Sequence, residues 1–184
     1  MIGSVANRAS AGIVRTGYYA TAMNKTDLTT YLNDHHAGSL AALEMLDHLV
    51  ETFEGKTLGQ FFKELRAEIQ SDQRALENLI EKIGADESAI KKAGAWVAEK
   101  FSRAKIRVND SADDQLGLLQ ALEALMLGIT GKRALWTALA AAAERVPQLR
   151  ALDYATLEQR ATEQRDRVEA KRREVARELF SRSL

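Results

Sequence analysis

The chain contains no cysteine among its 184 residues. This absence excludes disulfide-stapled scaffolds, thiolate zinc sites, iron–sulfur clusters and cysteine nucleophiles. Proline occurs once and aromatic residues make up 6% of the chain, while alanine, leucine, glutamate and arginine are abundant. A composition of this kind predicts an all-α protein that is helical almost throughout.

Net charge and long apolar runs are also lacking. The 26 basic residues are balanced by 26 acidic ones, so no overall charge attracts nucleic acid or an anionic membrane surface. No apolar run approaches the roughly 20 residues that a membrane-spanning helix needs. We therefore predict a cytoplasmic protein with no nucleic-acid or membrane partner, long enough to bury the core of one domain.

Residues 1–26 differ in composition from the rest of the chain. They include three basic residues and no acidic one, and they are rich in Ser, Thr, Ala and Gly. A basic leader without acids is typical of a targeting segment, but this one has no continuous apolar stretch and no obvious cleavage pattern. We expect a flexible N-terminal arm or an over-extended start, leave a targeting role open, and assign residues 27–184 to the folded domain.

The spacing of apolar residues predicts four long helices. Their expected ranges are 27–53, 57–83, about 114–143 and about 153–180. Residues 86–106, in the long connection between the second and third helices, predict a shorter amphipathic helix with Ile90, Trp96, Val97 and Phe101 on one face. That face must pack on the bundle or on a second subunit, so a homodimer is one expectation.

The lengths of the connections predict how the helices run. Short links make the first two helices antiparallel, and likewise the last two, whereas the long connection lets the second and third run parallel. This order resembles the ferritin-like superfamily, which includes bacterial stress-associated members, over about residues 27–181. The resemblance implies a ferritin-like four-helix bundle with a short helix in the long crossover, and a stress-related role.

The di-iron site of ferritin-like proteins is not reproduced in this sequence. Such sites take a Glu from each of two helices and Glu-x-x-His from each of the other two. The glutamates available for these roles are Glu44, Glu68, Glu123 and Glu163. On a projection of 100° per residue, only Glu68 flanks an apolar stripe, and neither Glu68 nor Glu163 is followed by a histidine three positions later. We therefore predict no metal cofactor.

Polar residues interrupt the apolar face of every long helix. They are His35 and Ser39 on the first helix, Asp72 on the second, Arg133 on the third and Gln164 on the fourth, with His36 at the edge of the first stripe. At 1.5 Å of rise per residue, these positions fall at one level of the bundle to within one or two turns. An unpaired buried charge costs several kcal/mol, so we expect Asp72 to pair with Arg133 and His35. In the competing interpretation, Arg133 points outward to solvent and His35 forms a hydrogen bond with a backbone carbonyl.

Two hypotheses for function follow. The first is a structural or binding module without a cofactor, acting on an unknown protein partner, with the buried polar layer in place of a di-iron site; it is not an enzyme. The second is a metal-binding protein or oxidoreductase that holds iron or manganese at His35, Glu68 and Asp72, with Arg133 turned away. An inward Arg133 favours the first, because a permanent cation opposes binding of a divalent metal.

Overall fold

A computed structural model of the protein describes residues 25–84 and 114–181. These residues form the helices α1 Lys25–Thr52, α2 Thr57–Ile83, α3 Gln115–Ala143 and α4 Tyr154–Ser181, with a 3-10 turn at Pro147–Leu149. The described part contains no β-strand, and the prediction of an all-α four-helix bundle is confirmed. The predicted helix at 86–106 and residues 1–24 lie outside the described residues.

The helix ends follow local sequence signals. Asp114 precedes α3, and its Oδ1 accepts a hydrogen bond of 2.8 Å from the Gly117 amide. Asp153 accepts a similar bond from the amide of Thr156 before α4. These side chains satisfy amides that have no partner within the first helical turn. Gly84 ends α2 with φ 70°, a left-handed conformation that glycine adopts without steric cost.

The relative directions of the helices follow from the side-chain bonds between them. Within each bonded pair of helices, residue numbers rise on one helix as they fall on the other. The pairs are His36–Glu77 and Asp47–Arg66 for α1 and α2, Lys132–Gln164 and Glu123–Arg172 for α3 and α4, and Asp72–Gln164 and Glu68–Arg167 for α2 and α4. Each pair is therefore antiparallel. Because α2 and α3 both run opposite to α4, they run in the same direction, as the long connection predicts.

The core occupies the bundle axis and receives side chains from all four helices. On α3, for example, buried apolar residues recur at intervals of seven, at Leu122, Ile129 and Trp136. Full burial of one large apolar side chain contributes about 1.5–3 kcal/mol, so these repeated layers supply the main stabilisation. None of the described helices is long and apolar enough to cross a membrane.

Candidate functional site

The most deeply buried charged group in the described part of the chain is Asp72 on α2, which is 1% exposed. Lys132 of α3 places Nζ 2.5 Å from Asp72 Oδ2. From α4, the Arg160 guanidinium donates to Asp72 Oδ1, and Gln164 Nε2 donates to Oδ2 at 3.3 Å. The carboxylate is thus held by three donors from two neighbouring helices, which offsets the cost of burying it.

Lys132 links the carboxylate to the fourth helix. Its Nζ donates to Asp72 and also to Gln164 Oε1, at 2.5 Å in each case. Burial lowers the pKa of the Lys132 amine; attraction to Asp72 opposes this effect, and repulsion from Arg160 adds to it. With both bases protonated, the cluster of Asp72, Lys132, Arg160 and Gln164 carries one more positive than negative charge. We refer to these four residues as the ion-pair layer.

The structure brings the predicted Asp72 and Gln164 together, but the cation beside them is Lys132, one residue before the predicted Arg133. Seven-residue spacing gives the reason. Lys132 lies seven residues after Leu125 and seven before Leu139, both of which are buried. Arg133 is half-buried at the edge of the same stripe. On a projection at 100° per residue the two positions fall on opposite sides of the apolar stripe, whereas the seven-residue repeat of packed helices places Lys132 within it.

Arg160 was missed by the sequence analysis altogether. It lies four residues before Gln164, so the two side chains are neighbours on one face of α4. Its side chain is 32% exposed, and its guanidinium donates to the buried Asp72. Its four-residue spacing from an inward-facing glutamine is the only sequence signal that could have identified it.

Of the two adjacent histidines, the structure buries His36, and neither of them bonds Asp72, the predicted partner of His35. His36 is the buried one, 2% exposed, and its Nε2 lies 2.8 Å from Glu77 Oε1. His35 is half-buried and meets the ring of Tyr31 edge-on at 4.7 Å. The hydroxyl of Ser39 donates to the carbonyl of His36 at 2.6 Å. The hydrogen bonds to the buried carboxylate therefore come from α3 and α4, and neither His35 nor Ser39 of α1 supplies one.

His35 and Ser39 line a cavity that also borders the ion-pair layer. It has a volume of about 220 Å³ and lies among α1, α2 and α3. His35 and Ser39 line it on the α1 side, and Asp72 and Lys132 line it at the layer. The predicted polar residues of α1 and α2 therefore share one cavity wall, although they are not joined in one hydrogen-bond network.

At the alternative metal site of His35, Glu68 and Asp72, basic side chains already bind the two carboxylates that would hold a metal ion. Glu68 Oε2 lies 2.5 Å from the Arg167 guanidinium, and both oxygens of Asp72 accept from basic side chains. Within residues 25–84 and 114–181, no three His, Asp or Glu side chains are placed to hold a metal ion. The carboxylates that the alternative requires are instead neutralised by basic side chains.

His35 should make folding stability sensitive to acid. Burial is the main cause that lowers the pKa of His35, and the nearby Asp34 opposes it. In the unfolded chain a histidine titrates near pH 6.5, so below that value the unfolded state takes up the proton first and stability falls with pH. We expect His35→Gln to reduce the loss of unfolding free energy between pH 7 and pH 5, measured by urea denaturation.

The comparison is made with the unmodified protein at the same two pH values. An unchanged difference between pH 7 and pH 5 in His35→Gln would contradict the assignment.

Known proteins offer no match for this arrangement: the chain matches no family model, no curated protein and no solved structure. The resemblance to ferritin-like bundles therefore depends on helix order, length and direction. Function has to be inferred from the ion-pair layer and the cavity beside it.

Proposed function

We propose that the chain is a metal-free bundle of ferritin-like connectivity that acts as a binding module. In this proposal the ion-pair layer stands where ferritin-like proteins hold two metal ions. The order of the helices and the shared direction of α2 and α3 support the connectivity. The cavity beside the layer supports binding over a purely structural role, because a bundle that served only as a scaffold would gain stability by filling it.

The observation that carries the proposal is the position of the Lys132 ammonium group. It lies within hydrogen-bonding distance of both Asp72 Oδ2 and Gln164 Oε1. These two oxygens are the kind of ligand that hard divalent cations take, and a protonated amine already occupies them. Arg160 adds a second positive charge at the other oxygen of Asp72. A metal ion would have to displace one cation and tolerate the other at close range.

A second charged pair between α2 and α4 also supports a metal-free bundle. Glu68, the one glutamate that flanks the apolar stripe of α2, pairs with Arg167 of α4. Asp72 and Glu68 are thus both bonded to basic residues. The stress-related role and the homodimer remain predictions, the latter because the crossover residues 85–113 lie outside the described part of the chain.

Metal analysis tests the proposal directly. We expect the purified protein, incubated with Fe²⁺ or Mn²⁺ and passed through a desalting column, to retain less than a stoichiometric amount of either ion. Glu68→Gln is the matched variant, because it removes one ligand of the alternative site without touching Lys132. One ion per chain in the unmodified protein, lost in Glu68→Gln, would overturn the proposal and support the alternative.

A further inference from the structure

The cavity among α1, α2 and α3 has the size of a small-molecule site. An engineered apolar cavity of about 150 Å³ holds one benzene molecule. At about 220 Å³, this cavity is larger by roughly half, which corresponds to a ligand of roughly nine non-hydrogen atoms. One turn of an α-helix, which is about 10 Å across and about 5.4 Å long, would not fit in this volume. The size therefore favours a single small molecule over a helix of a protein partner.

The walls of the cavity are mostly apolar. Five apolar side chains of α2 and α3 line it and are buried in the core: Ile69, Leu76, Leu125, Ile129 and Leu135. Water in a space with such walls finds few hydrogen-bond partners. An apolar molecule that displaces poorly ordered water of this kind gains affinity, because it gives up no good hydrogen bond and buries its own surface.

The charged residues on the wall leave no charge for a ligand to neutralise. Lys132 Nζ lies 2.5 Å from Asp72 Oδ2, so two opposite charges cancel at the edge of the cavity, and Arg160 does not line it. Asp34 is exposed, so water screens its charge. Burial lowers the pKa of His35, which keeps that wall residue neutral at neutral pH. A charged ligand would lose its hydration and find no partner in exchange, so the cavity favours a neutral one.

Three glycines in the middle of helices also line the cavity. They are Gly38 on α1 and Gly128 and Gly131 on α3. Gly38 and Gly128 are exposed, so the cavity reaches the protein surface between α1 and α3. A methyl group added at any of the three would meet nothing within 4 Å, so close helix packing does not require glycine there. Glycine is unfavourable inside a helix, and its effect at these positions is to keep an entry path open.

We propose that this cavity binds one small neutral molecule with an apolar body, of about the size of a substituted benzene ring. The ligand enters past Gly38 and Gly128 and lies against the buried leucine and isoleucine side chains of α2 and α3. This ligand class deepens the proposed binding function and rests on it. Ligand titration and metal analysis are separate measurements, so failure of one is distinguishable from failure of the other.

Ethylbenzene is a suitable probe, and Trp136 can report its binding because that residue lines the cavity. In ¹H–¹⁵N spectra of the full-length protein, the two tryptophans give two indole signals, and the one that remains in Trp96→Phe is that of Trp136. We expect ethylbenzene to shift the Trp136 signal in a saturable manner and to raise the urea midpoint of unfolding. Benzoate and protonated benzylamine are similar in size but charged. Both should bind at least about tenfold more weakly, because the cavity offers a charge no partner.

Two matched substitutions on α3 separate the cavity from the rest of the core. Leu125 lines the cavity, whereas Leu118, seven residues earlier on the same helix, is buried but does not line it. Leu125→Phe places a larger side chain at the wall, so it should weaken ethylbenzene binding several-fold. Leu118→Phe makes the same change elsewhere in the core and should leave the affinity unchanged. Urea denaturation without ligand gives the stability of each variant, so a loss of binding is read apart from a loss of folding.

Three results would each overturn the proposal. One is a Trp136 signal that does not move before ethylbenzene reaches its solubility limit, as expected if another part of the chain or a second copy fills the cavity. Another is binding of benzoate or benzylamine as tight as that of ethylbenzene, which would show that the wall does not favour a neutral ligand. The third is a folded Leu125→Phe protein that binds ethylbenzene with unchanged affinity, which would place the ligand outside this cavity.

Discussion

Lys132→Met is expected to lower the free energy of unfolding by about 3 kcal/mol, and Arg133→Met by less than about 0.5 kcal/mol. The difference arises because Lys132 supplies a bond to Asp72, which is 1% exposed, whereas Arg133 lies at the edge of the stripe. Loss of one partner from a buried ion pair costs about 3–5 kcal/mol. Arg160 and Gln164 still hold the carboxylate, so the lower end of that range applies. Urea denaturation of both variants measures the two changes.

A double-mutant cycle separates the ion pair from the general effects of substitution. Asp72→Leu alone leaves Lys132 and Arg160 without their shared carboxylate. In the combined variant, Asp72→Leu with Lys132→Met, both members of the buried ion pair are removed, so neither remains as an unpaired charge. The combined loss should therefore be smaller than the sum of the single losses by about 1–3 kcal/mol. Simple additivity, or a loss in Arg133→Met as large as that in Lys132→Met, would contradict the ion-pair layer.

Gly59→Ala should lower the free energy of unfolding by about 2–3 kcal/mol. Gly59 lies in the first turn of α2 and packs against the end of α1. A methyl group at this position would overlap the carbonyl of Phe53, with 2.8 Å to the carbonyl carbon. That carbonyl is held in place by a 3.1 Å bond from the Lys56 amide. The ring of Phe53 is also fixed, because it packs in the core against Phe62. Relief of the overlap would therefore disturb both the turn and the core.

Two glycine substitutions serve as controls for Gly59→Ala. Gly55 has φ 73° and open space around it, so Gly55→Ala should cost about 1 kcal/mol for conformation alone. Gly128→Ala, in a helix and also in open space, should instead stabilise the protein. Denaturation midpoints should therefore rank Gly128→Ala first, the unmodified protein next, then Gly55→Ala and last Gly59→Ala. A Gly59→Ala protein as stable as Gly55→Ala would show that the hairpin adjusts to the added methyl.

The sequence by itself determined the helices of this protein. Within residues 25–84 and 114–181, the number of helices, their approximate ends and their relative directions follow from apolar periodicity, from capping residues such as Asp114 and Asp153, and from the contrast of short and long links. These signals are local, so they act before any helix meets another. The sequence also placed Asp72 and Gln164 on inward faces, because each interrupts a run of buried apolar residues.

Only the tertiary structure decided which basic residues reach Asp72 and which histidine is buried. Lys132 and His36 occupy the inward positions that the sequence predicted for Arg133 and His35. Adjacent residues differ by 100° around a helix, and the packing of neighbouring helices decides which of the two faces the axis. Arg160 reaches the layer through a long side chain whose course depends on its surroundings. The cavity depends on distances between helices, which no single helix encodes.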